Sequence, residues 1–216
     1  MDISYLGHSA FKIKGKTATI ITDPFDSGMV GLKFPKSDAD IVTVSHNHDD
    51  HSQTSLVTGV KRVIEGPGEY EIGGVSFIGI PSFHDNKKGD ERGKNTIFVI
   101  EIDGLRLCHL GDLGHALNES QLSEIGDIDI LFVPVGGQFT IGPKEAVEVA
   151  NSIEPKVIIP MHYLTDSMNQ EAFGALSKVD EFLTEMGLKV ERLPRFSIKA
   201  GELSSEDVYI VVLETK

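Results

Sequence analysis

A short apolar run, Ile41 to Val44, ends in Ser45-His46-Asn47-His48-Asp49-Asp50-His51, and this junction constrains the chain more than any other stretch. Imidazole and carboxylate are the donors that zinc, manganese and iron take, and crowding them without a cation leaves neighbouring polar groups with little to bind. The His-x-His-x-Asp-His spacing therefore reads as a metal site. A brief apolar run of this kind suits a strand buried on both faces, which puts the cluster at a strand end, where loops commonly carry function. If residues 45 to 48 stay extended, His46 and His48 project to one side and can share a metal. Asp50 and His51 face differently and suit a second metal or an orienting role.

A catalytic site needs more donors, and three lie at the ends of other strand-like runs. His84 follows Val75 to Ile80, His162 follows Ile159-Pro160-Met161, and Asp112 follows Leu105 to Cys108. Gly111, beside Asp112, permits close backbone approach. His109 and His115 rank lower, His109 reading as a structural histidine. Cys108, inside an apolar run, reads as a small buried hydrophobe.

The first half reads mostly as strands. Ala10 to Lys14 alternates, turns at Gly15 and returns through Thr17 to Thr22, and Asp103-Gly104 is a two-residue hairpin turn. Gly73-Gly74 reads as another turn, and Ser52 to Ser55 as the opening of a short helix. Helical signals gather in the second half. Asn118 and Gln121 form a capping pair, and Gly142-Pro143 opens a helix with Ala146, Val147, Ala150 and Ile153 on one face, closed by Pro155. From Asn169 onward, Phe173, Leu176, Val179, Phe182, Leu183 and Met186 recur at helical spacing, with Gly187 at the C-terminal cap. No linker or low-complexity tract interrupts the 216 residues, which read as one domain, 1–216, of sheets covered by helices.

Composition narrows the function. The formal charge of -13 disfavours nucleic acid, whose binding calls for a basic surface, and two divalent metals would offset part of it. No stretch approaches the ~20 apolar residues of a membrane span. The N-terminus shows no secretion signal, and the single cysteine excludes an intramolecular disulfide, so the expected location is cytoplasmic. The segment Lys87 to Lys94 holds Lys87, Lys88, Arg92 and Lys94. It reads as a solvated mobile loop, with enough local charge to hold one anionic group.

Gly7-His8-Ser9, Thr22-Asp23-Pro24, the His46 to His51 motif, His84-Asp85, Gly111-Asp112 and Pro160-Met161-His162-Tyr163 together resemble the metallo-β-lactamase superfamily pattern over nearly the whole chain. Within it the chain is most similar to short proteins related to ascorbate-6-phosphate lactonase and the phospholipase D-like hydrolases. The resemblance implies an α/β fold, an αββα sandwich of two mixed sheets flanked by helices, with a dinuclear site at one sheet edge. It implies that His46, His48 and His84 bind one metal, that Asp50, His51 and His162 bind the second, and that Asp112 bridges them. Zinc is the first expectation for both ions, ahead of manganese or iron. A metal-bridging hydroxide would be the nucleophile, with Asp50 and His8 as catalytic candidates. Asp23, Arg92, Asn95 and Tyr163 are candidates for contacting substrate or supporting the ligands, and Tyr70, Phe83 and Phe139 for lining the pocket.

The implied activity is hydrolysis of a small ester, lactone or phosphodiester, an anionic substrate among the options, and oligomeric state stays open. The alternatives are a metal-dependent nuclease, against which size and charge argue, and a non-catalytic metal-binding sensor. An oxygen-reducing diiron protein would carry Glu at His48 and a flavin domain. One departure stands out: related proteins have Gly-Asp-Thr where this chain has Gly111-Asp112-Leu113, removing a hydroxyl that could brace the bridging carboxylate.

Overall fold

Ile20 and Ile41 pack into one buried cluster while their neighbours Ile21 and Val42 pack into another, as the two-residue period demands of strands covered on both faces. The computed structural model describes residues 1–204 and 207–215. One sheet has six strands in the order Phe196–Ser197, Asp2–Gly7, Ala10–Lys14, Thr19–Thr22, Ile41–Val44, Arg62–Glu65. The other has eight, in the order Val190–Leu193, Tyr209–Leu213, Val157–Met161, Ile130–Pro134, Leu105–His109, Lys94–Ile102, Val75–Phe83, Gly68–Ile72. Both are mixed, with antiparallel hairpins joined to parallel pairs such as Thr19–Thr22 with Ile41–Val44 and Leu105–His109 with Ile130–Pro134.

The sheets face each other across the larger cluster. Phe11 of one and Phe132 of the other meet as tilted rings with centroids 4.5 Å apart, and both are fully buried. Truncating either to Ala would cost about 3–5 kcal/mol, the usual range for a buried aromatic. Helices cover the outer faces: Pro143–Ile153 buries Ala146, Val149, Ala150 and Ile153 against the eight-stranded sheet, and Val179–Met186 buries Val179 and Phe182. The short helix Ser27–Val30 and the segment around Phe173 cover the six-stranded sheet. This is the αββα sandwich. No helix among the described residues is long and apolar enough to cross a membrane.

Several elements depart from the sequence reading. The expected helix from Asn169 is two helices, Gln170–Phe173 and Val179–Met186. Between them Ser177 N donates to Gly136 O at 2.7 Å and Ser177 O accepts from Leu164 N at 3.0 Å. The backbone needed for a continuous helix is thus spent tying down the loop after His162. In Pro143–Ile153 it is Val149, not Val147, that is fully buried. Residues 45 to 48 form bends rather than an extended continuation of Ile41–Val44, and the short helix after them is a single 3-10 turn, Thr54–Leu56. The hairpin turns at Gly73-Gly74 and Asp103-Gly104 are present, all four residues at positive φ.

Candidate metal centre

Strand ends from both sheets meet at one edge. His8, Asp23 and the His46 to His51 loop leave the six-stranded sheet, while His84, Asp112 and His162 leave the eight-stranded one. Backbone hydrogen bonds sew the two sets together: His162 N donates to His8 O at 2.8 Å and Thr96 N to Ser45 O at 2.9 Å. Three non-glycine residues here, His8, Asp23 and His162, sit at positive φ of 55°, 39° and 52°. Such strain costs on the order of 1–3 kcal/mol per residue and persists where surrounding contacts over-determine the backbone. Two glycines are required by close approach. A Cβ on Gly136 would lie 2.0 Å from His162 O, and one on Gly111 2.3 Å from Asn95 Oδ1.

All seven ligand candidates are brought together. Their donor atoms form three groups, His46 with His48 and His84, His8 with Asp50, His51 and His162, and His46 with His51 and Asp112; within each group all donors lie within 4.8 Å of one another. Asp112 Oδ2 is the common point. It lies 3.1 Å from His84 Nε2, 3.2 Å from His51 Nε2 and 3.2 Å from His162 Nε2, with His46 Nε2 at 4.0 Å. Tetrahedral donors at ~2.0–2.1 Å from a shared cation are separated by ~3.4 Å, close to these spacings. Every one of the seven is buried except His48, which is exposed.

The chemistry of the donor set fits a cation. His46 Nε2, His51 Nε2 and Asp112 Oδ1 are buried without a hydrogen-bond partner, which is costly unless something else satisfies them. Burial, then the charge of His51, pulls the His46 imidazole down to about 3. Burial pushes the Asp112 carboxyl up, but His162, His51 and His84 outweigh it and hold it well below the usual carboxylate range. Burial likewise opposes ionisation of Asp50, which the charge of His51 and the hydrogen bond from His8 nevertheless hold ionised. Burial opposes protonation of His51, but the Asp112 and Asp50 carboxylates outweigh it and hold its imidazole well above the usual range. An ionised carboxylate and a neutral imidazole are the forms that ligate metal, so a cation seated there would displace that proton.

Supporting contacts fix the rings. Asp23 Oδ2 accepts from His51 Nδ1 at 3.0 Å and from Ser45 Oγ at 2.6 Å, and Ser45 Oγ, its proton committed, accepts from His46 Nδ1 at 2.9 Å. One buried carboxylate thus orients a histidine in each group, through Nδ1, leaving Nε2 bare. His84 Nδ1 donates to Phe139 O at 3.1 Å. Asn95 braces Asp112, its Oδ1 accepting from Asp112 N at 3.0 Å while its Nδ2 donates to Leu110 O and Ser82 Oγ. A support for Asp112 is therefore present although Leu113, in place of threonine, is buried core. His8 Nε2 lies 3.1 Å from Asp50 Oδ2, and its ring centroid 4.1 Å from that of His162.

Other candidates lie elsewhere. Tyr163 is core, 6% exposed and beside Tyr5, its phenol pushed up to about 12 by burial, so it does not face substrate. The Tyr70 hydroxyl reaches Glu65 O and Gly66 O instead, and Phe83 packs on His115. His109 has both ring nitrogens committed, Nε2 donating to Ser9 O and Nδ1 accepting from Gly111 N. His115 accepts from Phe83 N and stays outside the cluster. The segment expected as a solvated loop is folded around buried Asp85, which accepts from the backbone of Lys87, Gly89, Glu91 and Arg92. Arg92 and Phe139 line a cleft of about 450 Å³ over the centre, with Met29 and Phe173. Sequence reading assigned no role to Ser45, whose position beside His46 was the only signal, none to Met29, and placed Phe173 only in a helical apolar stripe; both reach the cleft through tertiary packing.

The sequence profile described as the beta-lactamase superfamily domain matches residues 2–162. A protein of Thermococcus onnurineus named UPF0173 metal-dependent hydrolase is 33% identical over 192 residues, covering 76% of this chain and 85% of that one. A Thermotoga maritima crystal structure, described as a candidate Zn-dependent hydrolase of the metallo-β-lactamase superfamily, is 42% identical with a TM-score of 0.82, covering 100% of this chain and 99% of that one. Igni18, a metallo hydrolase of Ignicoccus hospitalis, shares the fold at 20% identity and a TM-score of 0.69, over 99% and 94% of the two chains.

Proposed function

The chain belongs to the metallo-β-lactamase superfamily, among its metal-dependent hydrolases, and on that premise we propose a single hydrolase domain, 1–216, with a dinuclear centre that cleaves a small ester, lactone or phosphodiester. Zinc is the first choice of metal, ahead of manganese and iron, because the donors are imidazole and carboxylate without thiolate. His46, His48 and His84 would hold one ion, Asp50, His51 and His162 the other, and Asp112 would belong to both. When bound, such a pair polarises the scissile bond and lets water act as a nucleophile near neutral pH.

The chain's own residues supply the rest. Asp50, kept ionised, would accept a proton from the attacking water and return it to the leaving group. His8, fixed by its backbone and donating from Nε2 to Asp50 Oδ2 at 3.1 Å, sets that carboxylate's orientation. Asp23 and Ser45 hold His46 and His51 with Nε2 inward. Met29, Phe139 and Phe173 make one side of the cleft apolar, which strengthens electrostatic interactions there by excluding water.

The observation that carries this reading is the contact of one oxygen, Asp112 Oδ2, with histidines of both groups. Metal analysis after loading with zinc, manganese or iron should return about two ions per chain, with turnover in a panel of phosphodiesters, lactones and thioesters. Asp112→Ala and His48→Ala should each lower metal-dependent turnover by at least about a hundredfold. Fewer than about one ion per chain, or turnover intact in either variant, overturns the proposal.

A further inference from the structure

Two clefts open at the centre and share His48. The first, over the candidate ligands, is the one walled by Met29, Phe139 and Phe173. The second, of about 460 Å³, runs between Glu65-Gly66-Pro67 and the start of the strand Lys94–Ile102. Asn47, His48 and Arg92 line both, and Lys94 lines the second.

Arg92 is held in place from two directions. Its backbone N donates to Asp85 Oδ2 at 2.8 Å, and Asp85 directly follows His84; its guanidinium carbon lies 5.8 Å from the centre of the Phe139 ring. Glu91 is taken by Lys87 at 2.5 Å and is only loosely placed against Arg92, at 3.7 Å, so guanidinium donors remain available. Lys94 makes no ion pair among the described residues. A chain of net charge -13 repels anions at long range, so anion recognition on it has to be local and built from placed cations. Arginine stacked on an aromatic ring keeps its planar fork of donors for a carboxylate or phosphate.

We propose that the second cleft is an anion subsite: Arg92 and Lys94 receive a carboxylate or phosphate of the substrate, whose apolar arm lies against Phe139 and Phe173 in the first cleft. The substrate class is then a two-armed ester, anionic at one end and apolar at the other, with the bond to be cleaved between them at His48. The bond cleaved rests on the hydrolase reading, whereas the place of the anion does not.

Calorimetric titration reads binding without turnover. The protein, as purified and after zinc loading, is titrated with N-phenylsuccinamate, its phosphonate counterpart and the uncharged N-phenylsuccinamide. At least one anion should bind roughly tenfold more tightly than the diamide, and the stronger of the two identifies the group recognised. In Arg92→Gln/Lys94→Gln the preference should fall below about threefold, and Arg92→Lys should retain part of it. No anion preference in the unaltered chain overturns the subsite, as does a preference kept in the double variant, which would place the anion on the metals alone. Failure of the hydrolase reading would appear separately, in metal content and turnover.

Discussion

At the scale of single residues, the centre depends on groups that touch no ligand atom. Asp23 is fully buried and holds a histidine of each group, one directly and one through Ser45. Asp23→Ala should lower metal affinity about 10–100-fold, measured by chelator competition, with Asp23→Asn less severe. An unchanged affinity would show that the rings are oriented without it. Asp85 serves the neighbouring loop. Burial pushes its carboxyl up, but hydrogen bonds from four backbone N–H groups prevail and hold it below the usual range. Because its folded value is depressed, the stability it adds is complete above about pH 4, the unfolded value, and is lost as pH falls further. The melting-temperature loss in Asp85→Ala should therefore shrink in acid; a loss independent of pH would contradict this role. The metal-capable residues were legible in the sequence because their chemistry is their signal. Tyr163 was not, since a tyrosine beside a candidate ligand histidine reads alike whether its ring faces the cleft or, as here, the core.

Among elements, what could be read was the end of each strand rather than the path beyond it. The apolar runs before His46 and His162 are strands buried along their length, and the one before Asp112 is buried except at half-buried Arg106; burial on both faces leaves a run of β-branched and aliphatic residues. The split in the helix after Asn169 was hidden because apolar spacing continues across it, while the cause, hydrogen bonds of Ser177 to Gly136 and Leu164, lies outside the helical run itself. Caps were readable because they are local: Asn118 and Gln121 form a reciprocal capping box on Glu119–Ile125, and Asn118→Ala should cost about 1 kcal/mol in denaturant unfolding. Gly111 stands between the strand and Asp112. At φ +56, with Asn95 Oδ1 and Ser45 Cβ within 2.3 and 2.6 Å of an added Cβ, Gly111→Ala should lose on the order of 1–3 kcal/mol and weaken metal binding with it. Unaltered stability in that variant would mean the approach can relax.

For the whole molecule, free metal a thousandfold above its dissociation constant adds about 4 kcal/mol, so chelation should lower the melting temperature by roughly ten degrees. Cys108 has no exposed surface, and burial pushes its thiol up. It should resist alkylation in the folded chain with or without metal and react only on global unfolding; modification on chelation alone would mean the core opens with the site. The division of ligands between sheets has a mechanical meaning. Three candidate ligands follow three strand ends of the eight-stranded sheet and the other four follow one strand end, Ile41–Val44, of the six-stranded one, so a cation seated among them would act as a clasp closing the open edge of the sandwich. Removing it should raise amide hydrogen exchange at residues 45–51 and 111–113 in concert, while the opposite edge, at the Asp103-Gly104 turn, keeps its rate. Exchange that rises in one loop alone would mean that each sheet holds its own end shut.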